Sequence, residues 1–168
     1  ERILGKFIKE SNTSVVTASK FPPFRNRFLK RHLLSSLRAS LDRMQLKQLD
    51  LYQTHFHFRF VPLRTWMTAL ADAVEQGLTK AVGTANYSAN QLRMAHRLLA
   101  KRSVPLASNQ AEYSLLHRHP EIDGVFDADD APRMEFIPLD PPDDAEILRV
   151  LEGFTRRLAR VLARRGLG

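Results

Sequence analysis

The chain has 168 residues, 43% of them hydrophobic and 26% charged, with a net charge of +8 and no cysteine. Those values fit one globular domain and exclude a disordered chain, a disulfide scaffold and a thiolate zinc centre. No apolar run approaches the ~18 residues of a membrane-crossing helix, so no membrane partner is expected.

The first residue is Glu1 rather than Met, so the chain reads as processed or as an excerpt. Residues 14–20, SVVTASK, are short, β-branched and followed by Pro22-Pro23, and predict a buried strand. Leu33, Leu34, Leu37, Leu41 and Met44 then fall on one helical face. Residues 49–55 predict a second strand, and the next helix turns Trp66, Leu70, Ala73 and Val74 inward, with Gly77 as its stop. A third strand covers 79–84, and Ser88 caps a helix whose stripe is Leu92, Ala95, Leu98 and Leu99. A fourth strand covers 104–110.

Residues 119–132 are rich in Asp and Pro and read as loop, with room for one short helix. Residues 133–139 are a candidate fifth strand, and 145–165 carry a helical stripe of Ile147, Leu151, Phe154, Leu158 and Val161 with arginines opposite. Strand alternating with helix is the signature of a parallel sheet with outer helices. The basic clusters, Arg25 to Arg31 and Arg156 to Arg165, read as solvated faces, which disfavours a nucleic-acid role.

In parallel α/β barrels the chemistry gathers at the C-terminal ends of the strands. Lys20, His55, Asn86 and Gln110 stand at four successive predicted ends, each about one strand–helix unit from the next. One such residue signifies little, but four in phase point to a shared mouth. His55 with His57, and His117 with His119, are pairs two apart, too few ligands for a metal centre, so no metal site is assigned.

The stretches TASKF (17–21), LDLYQTH (49–55), VGTANYS (82–88) and SNQAEYSLLHR (108–118) resemble the aldo-keto reductases over approximately residues 1–118. The resemblance implies part of a TIM (β/α)8-type barrel, with four to five parallel strands and outer helices. It places a barrel domain over 1–140 and an atypical arginine-rich helix over 141–168. It implies hydride transfer from NADPH to a small aldehyde or ketone, in the cytoplasm. Lys20 matches the lysine that lowers the pKa of a general-acid tyrosine, and His55 the histidine that orients the carbonyl. Asn86 and Gln110 match amides that hold the nicotinamide carboxamide, and Phe136 the ring stacked on the nicotinamide.

Ala85 stands where the family usually has a serine. The family's general-acid tyrosine and its partner aspartate lie on an earlier strand, and residues 1–19 contain neither Tyr nor Asp. A complete barrel needs about 250 residues, so units are missing. The expectation is an incomplete reductase, with two alternatives: an inactive relative that binds nucleotide or a partner subunit, or a basic interaction module. Open barrel edges are candidates for self-association.

Overall fold

A computed structural model of the chain describes residues 1–11, 15–23, 26–113 and 119–125. The candidate fifth strand, the helical pattern over 145–165, Phe136 and the boundary at 140/141 lie outside the described residues.

The elements run α1 (Arg2–Ser11), β1 (Ala18–Phe21), α2 (Lys30–Met44), β2 (Leu49–Thr54), α3 (Leu63–Glu75), β3 (Thr79–Ala85), α4 (Ala89–Ala100), β4 (Leu106–Gln110) and a short α5 (His119–Ile122). The strands form one parallel sheet in the order β1-β2-β3-β4. Every step goes to the adjacent position through a helix, and right-handed crossovers put α2, α3 and α4 on one face. This is part of the predicted barrel wall.

The core lies between helices and sheet. Leu33, Leu34, Leu37, Leu41 and Met44 of α2, Trp66, Leu70 and Ala73 of α3, and Leu92, Ala95 and Leu99 of α4 are buried against Phe21, Tyr52, Val82 and Leu106. Val74 and Leu98, at the margins of their stripes, pack on this core only in part. Ser88 caps α4 by accepting from Gln91 N, while Gln91 Oε1 accepts from Ser88 N at 3.0 Å. Such reciprocal capping satisfies amides left over at a helix start. Gly77 follows α3 at φ +67°, as its predicted role as a stop requires.

Two strand starts and one helix differ from expectation. The first strand begins at Ala18 rather than residue 14, and Val16 is 86% exposed. Here β1 has a neighbour on one side only, and Thr17 donates from its amide and hydroxyl to Asp50 Oδ2, at 2.8 and 3.0 Å, in place of a longer ladder. The fourth strand begins at Leu106 rather than Val104, because Pro105 has no N–H for the ladder and Val104 N bonds back to Leu99 O. The helix α1 is absent from the predicted elements. It crosses α2 closely: a Cβ on Gly5 would lie 2.3 Å from Met44 O.

Candidate active site

Alternation along the strands assigns side chains to the two faces of the sheet. Lys20, Gln53, Gly83 and Ser108 are partners in register and form one row on the face opposite the helices. The row depends on an irregularity between Val82 and Gly83: Val82 pairs with Leu106 but Gly83 with Ser108, so Ala107 is an extra residue. A bulge of this kind reverses the phase of all that follows. It turns Ser108 and Gln110 to the concave face.

Gln53, 3% exposed, donates from Nε2 to Thr84 O at 3.3 Å and Ser108 Oγ at 3.1 Å. The contact crosses over Gly83, where a Cβ would stand 2.3 Å from Ser108 Oγ and 2.9 Å from Ser108 O. This polar bridge is the floor of the site. Lys20 lies beside it on β1, half-buried, with no carboxylate partner among the described residues.

One layer closer to the strand ends stand Ala85 and its register partner Gln110. His55 is one residue past β2, exposed, and its amide donates to Phe21 O at 2.9 Å. Gln110 is exposed and its carboxamide makes no hydrogen bond among the described residues, so it is free to offer both a donor and an acceptor. Lys20, His55 and Gln110 therefore stand at or just past the C-terminal ends of β1, β2 and β4 in one sheet.

Asn86 is engaged differently. Its backbone is left-handed at φ 56°, and its amide donates to Gln110 O at 2.9 Å. Its Nδ2 donates to His55 O at 3.3 Å, while its Oδ1 accepts from Glu112 N at 3.0 Å. The side chain clips together the ends of β2 and β3 and the chain that leaves β4. The resemblance gives it the role of a ligand amide, and in this fold its carboxamide already bonds His55 O and Glu112 N. The available signal was its place just past a strand, since Asn tolerates left-handed backbone better than other residues with a Cβ.

Behind the rim, on the helix side, lies a buried network that the sequence reading missed. Thr54 Oγ1 meets Tyr87 Oη at 3.1 Å, and Thr84 Oγ1 donates to Asn109 Oδ1 at 3.0 Å. Asn109 also spans the Tyr87 backbone, accepting from its N and donating to its O, both at 3.4 Å. Tyr87 is 2% exposed and burial pushes its hydroxyl up to about 12. Tyr52 is wholly buried on the same side, and burial raises its pKa further still. Both phenols face away from the mouth and hold their protons tightly, so neither is placed to protonate a substrate there.

Residues 1–137 match the family model described as the aldo/keto reductase family. The chain belongs to that family. It is 41% identical over 125 residues to the chloroplastic pyridoxal reductase of Arabidopsis thaliana, which covers 69% of this chain and 34% of the relative. It is 34% identical over 98 residues to the L-glyceraldehyde 3-phosphate reductase of Escherichia coli K12, covering 58% of this chain and 28% of the relative. Among solved structures, a thermostable aldo-keto reductase crystallised with the inhibitor epalrestat superposes with a TM-score of 0.66 at 29% identity, over 75% of this chain and 44% of that one. The chain thus spans about a third of the length of the curated aldo/keto reductases it matches. Members of the family generally use NAD(P)H and act on small carbonyl compounds. Among the described residues no helix is long and apolar enough to cross a membrane.

Proposed function

We propose that this chain carries the carbonyl-orienting and nicotinamide-facing part of an NADPH-dependent aldehyde or ketone reductase of the cytoplasm. The observation that supports it best is that Lys20, His55 and Gln110 stand at or just past the C-terminal ends of β1, β2 and β4 in one parallel sheet.

NADPH supplies the hydride when bound. Gln110 fits its carboxamide, because the end of β4 leaves both hydrogen-bonding ends of the side chain unengaged. Asn86 fits less well, with its carboxamide already spent on His55 O and Glu112 N, and Ala85 offers no hydroxyl. Phe136 remains the candidate stacking ring by resemblance. His55 donates an imidazole N–H to the carbonyl oxygen, and Lys20 stabilises the negative charge that develops there. The proton for that oxygen has no source in Tyr52 or Tyr87. The isolated chain is accordingly a weak reductase, since general acid catalysis contributes about 10²–10⁴-fold. The engaged Asn86 and the burial of Tyr52 and Tyr87 away from the mouth favour, as second reading, a non-catalytic relative that keeps nucleotide binding.

Calorimetric titration with NADPH, alongside NADPH oxidation in the presence of 4-nitrobenzaldehyde, tests this. Gln110→Ala is expected to weaken binding by about 1–3 kcal/mol, or roughly 5- to 150-fold, with the melting midpoint unchanged. Equal affinities would overturn the placement of the nicotinamide. Turnover near ~1 s⁻¹ by the isolated chain would show that a proton donor is present after all.

A further inference from the structure

Two segments at the mouth have a composition that hydride transfer to a neutral carbonyl does not explain. Residues 26–32, NRFLKRH, follow β1, and residues 55–64, HFHFRFVPLR, follow β2. Together they hold Arg27, Lys30, Arg31, Arg59 and Arg64 and not one Asp or Glu. The segments are joined by rings: Phe28 stacks on Phe58 at 5.6 Å and 15°, and Phe58 meets Phe60 edge-on at 5.4 Å. The Arg59 guanidinium lies 4.9 Å over Phe60, and the Arg27 guanidinium 6.0 Å over Phe21. Phe60 is 73% and Phe28 40% exposed.

Ion pairs elsewhere in the described fold join Lys6 to Glu10, Arg43 to Glu1, Lys80 to Asp50, and Arg102 to Asp72 and Glu75. At this rim only Lys30 is so paired among the described residues, 2.8 Å from Asp72. Clustered like charges repel, and the positive ends of α2 and α3 at the same rim add to the field. Ring faces hold the two arginines in the loops without neutralising them. What relieves such a cluster is an anion, and a guanidinium suits the paired oxygens of a carboxylate or phosphate. His55 opens the second segment, so this charge adjoins the residue that faces the carbonyl.

We infer that segments 26–32 and 55–64 form a subsite for an anionic group, carboxylate or phosphate, carried by the carbonyl substrate. The inference rests on the reductase reading for the word substrate, but the subsite itself needs no cofactor. The intact chain is titrated calorimetrically with benzoate, phenyl phosphate and neutral benzamide, at low and at 0.5 M salt. Benzoate or phenyl phosphate is expected to bind at least tenfold tighter than benzamide, and the stronger of the two identifies the group. Arg59→Gln and Arg27→Gln should each weaken the anion by roughly tenfold, the effect of one charge-assisted contact, with unchanged melting midpoints. Equal binding of benzamide, or anion binding indifferent to both arginines, overturns the subsite. So does oligothymidylate binding through the same arginines more tightly than either small anion, which would make the rim a nucleic-acid surface. If anion discrimination persists while NADPH fails to bind, the reductase reading falls alone.

Discussion

Asn86 joins a carboxamide of the kind that could meet a ligand to a structural place at the strand ends. Its left-handed backbone and its two side-chain hydrogen bonds hold three chain ends in place. Asn86→Gly keeps the backbone conformation and removes the clip, and is expected to cost about 1–2 kcal/mol in urea unfolding. Asn86→Ala adds the strain of a Cβ at positive φ, about 1 kcal/mol more. Full stability of both variants, with lost NADPH affinity, would instead make Asn86 a ligand residue. Asp50 is a second case, at the opposite end of the strands. Hydrogen bonds from Lys80 at 2.7 Å and from Thr17 hold its carboxyl down at about 2, against an ordinary 3.8. A depressed carboxyl stabilises the fold fully above its unfolded pKa, and that contribution fades as pH falls from about 4 to about 2. Allowing for solvent around Lys80, the loss is about 1–2 kcal/mol. Asp50→Asn should flatten the acid limb of the stability curve, and a wild-type slope in that variant would refute the assignment.

Between elements, the outer helices are tied by charge as well as by packing. Arg102, just past α4, donates to Asp72 Oδ1 at 2.7 Å, to the Glu75 carboxylate and to Thr68 O at 3.1 Å, all on α3. Asp72 in turn accepts from Lys30 at the start of α2. Networks of this kind hold more than isolated surface pairs. Arg102→Ala is expected to destabilise by about 1–2 kcal/mol, and 0.5 M salt should shrink the difference only in part, because the backbone contact to Thr68 is not screened. Thermal melts at two salt concentrations measure both effects. The helices were legible at this scale because their apolar stripes repeat over three or more turns. The stripe of α1, in Ile3, Leu4, Phe7 and Ile8, was equally present but shorter. Strand limits were less legible, since Pro105 and the one-sided pairing of β1 decide where the ladders begin.

At the scale of the whole molecule, the described residues of α1 and the approach to β1 include exposed apolar side chains. Ile3 is 86%, Phe7 54% and Val16 86% exposed on α1 and on the approach to β1. Self-association of the isolated chain is expected through this side, and Phe7→Glu should shift it toward monomer in sedimentation velocity. A wild-type chain monomeric at ~100 μM would place the sticky surface elsewhere, or deny it.

The sequence by itself determined the alternation of strand and helix and the faces of α2, α3 and α4. These are local properties, written in residue spacing and in short motifs. Tertiary structure alone decided the rest. The extra residue Ala107 turned Ser108 and Gln110 to the mouth, and only the pairing of β3 with β4 reveals it. The left-handed turn gave Asn86 to the rim, and the packing of Tyr52 and Tyr87 under the helices withdrew both phenols from chemistry. Each depends on which groups far apart in the chain come within hydrogen-bonding or van der Waals reach, and residue spacing along one segment carries no record of that.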